Sequence, residues 1–111
     1  MPDERERRIA LNEAAFRVAN ERREDWPERQ EAEEPLSYYC ECANPDCRLM
    51  LEADRDVYER VRSDSRHFLI APGHQVPDAE TVIEETVDYA VIEKAPGVDP
   101  IVKGTDPRRE E

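Results

Sequence analysis

Cys40, Cys42 and Cys47 are the only cysteines of the chain, and all lie within Cys-Glu-Cys-Ala-Asn-Pro-Asp-Cys. Thiolates crowded in this way point to a bound metal ion. Zinc comes first, because a structural zinc site is tetrahedral and takes thiolate and imidazole ligands. On an extended segment, side chains two apart share a face, so Cys40 and Cys42 present their sulfurs together. The Asn-Pro-Asp stretch supplies turn chemistry that folds Cys47 back towards the same point. One loop thus offers three ligands, and the fourth must come from elsewhere. There are two histidines, His67 and His74. His74 follows Pro72-Gly73, a sharp turn after an apolar run, and is the first choice. His67, a carboxylate or a water molecule are the alternatives. Free core cysteines are a poor explanation beside charged Glu41 and Asp46. A Cys40–Cys42 disulfide would be strained and would leave Cys47 unpaired. An iron–sulfur cluster would need an unusual ligand beside three thiolates. The pattern therefore predicts a Cys3His site of Cys40, Cys42, Cys47 and His74 holding Zn2+.

The elements that must carry this site read as α+β. Residues 1–26 predict an N-terminal helix rich in Glu, Arg and Ala, with a thin apolar stripe of Leu11, Ala15 and Val18. Asn12, Phe16 and Asn20 share a second face. So little apolar surface calls for docking on the same domain, on a second copy as a homodimer, or on a partner. Residues 27–35 read as a polar linker bracketed by prolines. Residues 36–95 predict the zinc-binding α+β domain. A strand from Leu36 enters the cysteine loop, and Leu49-Met50-Leu51 returns from it. Asp54 is placed to cap a helix from Arg55 to about Ser63 with apolar Val57, Tyr58 and Val61. Phe68–Ala71 reads as a buried strand, and two further runs, 81–85 and 89–94, form a hairpin. Residues 96–111, with Pro100 and Pro107, are expected to be a flexible acidic tail.

The chain has 111 residues, of which 38% are hydrophobic and 40% charged. Its core must be small, and a structural metal would serve as its staple. Acidic residues outnumber basic ones 28 to 16, for a net charge of −12. No segment is basic, and phosphate binding needs clustered Lys or Arg, so nucleic acid is not expected as a partner. The acidic surface suits a basic protein partner instead. No apolar run is long enough for a membrane span and no signal-peptide pattern is present, which predicts a cytoplasmic protein. With all four zinc positions filled, no site remains to activate water, and no nucleophile elbow or phosphate loop occurs. The sequence therefore predicts a non-enzymatic interaction or regulatory module. The alternative is a redox-sensing zinc switch; a metalloenzyme is the weakest reading.

Two resemblances bear on this. Cys-x-Cys-x4-Cys is similar to the zinc loop that follows the SET domain of histone methyltransferases, but that similarity ends with the loop. A wider resemblance runs through Asn12–Arg17, Val18–Arg22, the cysteine loop, Tyr58–Arg62, Phe68–His74, Tyr89–Lys94 and Thr105–Arg108. These stretches resemble a family of small uncharacterised proteins found mainly in actinobacteria. The family pattern couples the three cysteines to Ala-Pro-Gly-His, which implies Cys40, Cys42, Cys47 and His74 as one site. Where the family has threonine before the second helix, this chain has Asp54. The resemblance implies no activity.

Overall fold

The computed structural model of the protein describes residues 3–24 and 36–108. The order is a long helix α1 (Glu4–Glu24), strands β1 (Leu36–Tyr39) and β2 (Met50–Ala53), and helix α2 (Arg55–Val61). Strands β3 (His67–Ile70), β4 (Glu80–Glu85) and β5 (Ala90–Lys94) follow, then a 3-10 turn (Pro96–Val98) and helix α3 (Asp99–Gly104). The fold is α+β. Strands β1 and β2 form one antiparallel pair, and β3-β5-β4 form an antiparallel sheet with β5 in the middle. The predicted linker 27–35 lies outside the described residues.

Alternation and burial explain the sheet. Phe68, Leu69 and Ile70 are all buried, as are Ala90, Val91 and Ile92 opposite them. Both strands are therefore sandwiched, with α1 on one side. In β4 the register slips between Val82 and Glu84, and Ile83 is turned outward. Thr86 closes the hairpin: its Oγ1 accepts the Asp88 and Tyr89 N–H groups, both at 3.1 Å. Past Cys40 the chain leaves its β1–β2 pairing and joins β3, where the Glu41 N–H donates to the Leu69 carbonyl at 2.8 Å. That bond ties the two sheets together at the cysteine loop. Helix α2 stacks Tyr58 on Tyr38 with ring centroids 4.5 Å apart. Asp54 stands before α2 with extended backbone, but its side chain makes no capping bond.

Helix α1 starts where Asp3 accepts the Glu6 N–H at 2.7 Å, an N-cap, and it carries Arg22 and Arg23 in its last turn, where the helix dipole favours cations. It docks on its own domain, but not by the stripe that its sequence suggests. Leu11 and Ala15 are exposed, whereas Ile9, Ala10, Glu13, Ala14, Arg17 and Asn20 are buried. The correction has a physical cause: each polar residue of that face reaches a partner, although Arg17 Nε makes no hydrogen bond among the described residues. The Arg17 guanidinium lies 4.3 Å from the centre of the Phe68 ring and donates to the Ser65 and Val102 carbonyls. Lys94 Nζ sits 2.8 Å from both Glu13 Oε1 and Glu80 Oε2, and all three side chains are almost fully buried. Satisfied polar groups can be buried at little cost, so hydrophobic patterning alone mistook the face.

Regular structure also continues beyond Ala95, in the segment expected to be a flexible tail. Val98 and Val102 are buried in the main core. Asp106 is buried as well and pairs with Arg62, while Arg108 reaches Glu59 and Glu21. Two valines and a charge network hold residues 96–108 down despite their prolines.

Candidate metal centre

Each of the four residues is positioned by a local device. Cys40 follows β1, and its N–H donates to the Leu49 carbonyl at 3.1 Å, so the last rung of the β1–β2 ladder fixes it. Cys42 lies beyond Glu41, on the segment held against β3. Asn44 shapes the turn: its side-chain oxygen accepts the Asp46 N–H at 2.9 Å, and its carbonyl accepts the Cys47 N–H at 3.0 Å. His74 is delivered by a turn closed by its own N–H to the Ala71 carbonyl at 3.1 Å. Gly73 has φ +88°, a conformation that side-chain-bearing residues rarely adopt, and Pro72 supplies the turn position before it.

These devices bring Cys40, Cys42, Cys47 and His74 together, with one ligand atom of each lying within 4.8 Å of all the others. His74 Nδ1 is 3.5 Å from Cys40 Sγ and 3.8 Å from Cys47 Sγ. Zinc–sulfur bonds of about 2.3 Å and zinc–nitrogen bonds of about 2.0 Å at tetrahedral angles put sulfur and nitrogen about 3.5 Å apart. One observed separation equals that value, and the other is slightly longer. The cysteines are buried and His74 is half-buried, so the four donors face inward. A metal ion fits this group.

Cys40 Sγ accepts the Ala71 N–H at 3.1 Å, a contact that by itself favours the thiolate. Its hydrogen bond to Cys42, reinforced by burial, raises the Cys40 thiol above its ordinary value. The same bond, against the effect of burial and aided by His74, lowers Cys42 to about 5. Within the pair, the hydrogen bond favours a charged Cys42 beside a protonated Cys40. A divalent ion would replace that proton, as binding to thiols requires.

His67 is placed elsewhere. Its Nε2 lies 3.3 Å from Glu93 Oε1 and 3.7 Å from Asp64 Oδ2, and Arg66 shares both carboxylates.

The sequence did not reveal what supports the loop. Glu41, between two of the cysteines, is fully buried. Its carboxylate accepts the Leu69 N–H at 3.0 Å and the Asn20 amide at 2.8 Å. Burial raises its pKa, opposed in part by those bonds and by Arg62 and Arg17. Asn20 also grips the Tyr39 backbone from both sides, at 3.0 and 2.8 Å. Asn12 donates to the Ala43 carbonyl at 2.9 Å. The shared face of Asn12 and Asn20 was the available signal, and it faces the metal loop.

No protein-family model, curated protein or solved structure matches the chain. None of the helices among the described residues is long and apolar enough to cross a membrane. Function has to be argued from the site's own chemistry.

Proposed function

We propose that the chain is a small zinc-binding protein whose Cys3His site is structural, and that it works without catalysis as an interaction or regulatory module for another protein. The observation that carries this is the convergence of three thiols and one imidazole at tetrahedral spacing. Zinc is favoured over other divalent ions because three thiolates and an imidazole are soft to borderline donors. Four protein ligands complete the coordination, which supports an architectural role over activation of water. The ion would clamp the loop after β1 to the turn after β3, reinforcing the Glu41 and Cys40 bonds that already join the two small sheets. A net charge of −12 supports a basic partner protein and disfavours nucleic acid.

Elemental analysis of the purified protein tests the metal, with about one zinc per chain expected. His74→Ala should lose metal affinity and folding together, because binding free energy is folding free energy in such modules. His67→Ala should keep its zinc. If His74→Ala retains full zinc while His67→Ala loses it, the ligand assignment is wrong. Affinity purification from the native host should return a basic protein in stoichiometric amount; repeated recovery of the chain alone counts against the interaction role.

A further inference from the structure

We propose that the centre is also an oxidation site, in which a hydroperoxide joins Cys42 to Cys47, expels the zinc and loosens α1 around Asn12. This rests on the zinc assignment above and adds its regulation.

The three cysteines are not equivalent. Cys40 and Cys42 are both buried, at 1% and 2% exposed, and the Cys40 sulfur accepts the Ala71 N–H at 3.1 Å. A donated N–H draws charge from a thiolate and blunts its attack. Cys42 has the Asn44 backbone as its loop neighbour, with the carbonyl 4.0 Å from its sulfur. It also borders a surface cavity of about 450 Å³, lined as well by Ala43, Asn44, His74 and Val76, through which a small oxidant can enter. Cys47 is the most exposed of the three at 8%.

Chain geometry allows the same pair. Cys42 and Cys47 flank the Asn44 turn, and their sulfurs, like all the ligand atoms of the site, lie within 4.8 Å of each other. Closing that gap needs adjustment of one loop. A bridge between Cys40 and Cys42 would instead span alternate positions of one segment held on both sides by backbone bonds, against disulfide geometry.

The chemistry balances with peroxide as the oxidant. The Cys42 thiolate attacks one peroxide oxygen; a sulfur–oxygen bond forms, the oxygen–oxygen bond breaks, and hydroxide leaves. The Cys47 thiolate then attacks the sulfenic sulfur, forming the disulfide and releasing a second hydroxide. The two sulfurs together give up two electrons, which reduce the peroxide. Zinc is left with Cys40 and His74 alone and dissociates. The loop that carries Ala43 must move, and the Asn12 bond to its carbonyl is lost with it.

The experiment takes the full chain with its zinc content measured first, then adds hydrogen peroxide. Zinc release is followed with a dye, and free thiols are alkylated and mapped after cleavage before Asp46. The expected result is release of zinc in step with a Cys42–Cys47 disulfide, Cys40 alone remaining alkylatable, and faster amide exchange over residues 9–16. Reductant with added zinc should restore the starting state. Zinc retained at peroxide levels that oxidise a free cysteine peptide, a disulfide that includes Cys40, or unchanged exchange in α1 would each overturn the proposal. Protein that carries no zinc before peroxide would overturn the metal assignment itself, and this proposal with it.

Discussion

Replacing Asn20 with alanine should remove at least about a quarter of the stability of the protein while leaving its metal ligands untouched. Asn20 makes three hydrogen bonds between α1 and the start of the cysteine loop: two with the Tyr39 backbone and one with the Glu41 carboxylate. Neutral bonds contribute about 1 kcal/mol each, and a bond to a charged group about 1.5–3 kcal/mol. The expected loss is about 4 kcal/mol, since the buried Glu41 also forfeits the Asn20 donor and keeps the Leu69 N–H. A chain of this size has roughly 5–15 kcal/mol in all. Asn12→Ala is the internal standard, because it deletes one half-buried bond and should cost about 1 kcal/mol. Urea unfolding at a fixed free-zinc concentration reads the difference, because metal binding otherwise shifts apparent stability. If Asn20→Ala costs no more than Asn12→Ala, the polar clasp does not hold α1 down, and the account of its docking fails.

Other outcomes follow from the same structure. Burial, with Glu80 alongside, pushes Glu13 well above the ordinary carboxylate range; at Glu80 burial acts upward too, but bonds from Glu13, Lys94 and the Val76 N–H outweigh it and hold Glu80 low. The raised Glu13 keeps its proton in the folded state after the unfolded chain has lost it, so its contribution is full at acid pH and declines as pH rises through its folded value. Glu13→Gln should therefore flatten the fall in stability above about pH 4.5 and be neutral or stabilising at pH 8; a large loss at pH 8 would show that the charged form is the one the fold needs. Val102→Ala should cost about 2 kcal/mol by urea unfolding, two buried methyl groups plus the cavity left behind. An effect near zero would mean that the segment after Ala95 does not pack as described.

Much of the fold was legible because hydrophobic alternation is strong where strands are buried: Phe68–Ile70, the 80–94 hairpin and the short helix after Asp54 all stand where their patterns put them. The three cysteines and His74 were legible for a different reason, since thiol spacing and a Pro-Gly turn restrict where side chains can point. What patterning missed was polar burial. Glu13, Arg17, Asn20 and Glu41 look like solvated residues, and only the distant partners Lys94, Phe68, Tyr39 and Leu69 make their burial affordable. The segment after Ala95 was misjudged in a similar way. Its prolines and charges suggest a loose end, but Val98 and Val102 are buried and Arg62 receives Asp106.

X-ray absorption at the zinc edge tests the central claim most directly. The account predicts a four-coordinate shell of three sulfurs at about 2.3 Å and one imidazole nitrogen at about 2.0 Å, unchanged in His67→Ala. A shell dominated by oxygen, a sulfur count of two or fewer, or a nitrogen that disappears in His67→Ala would contradict it.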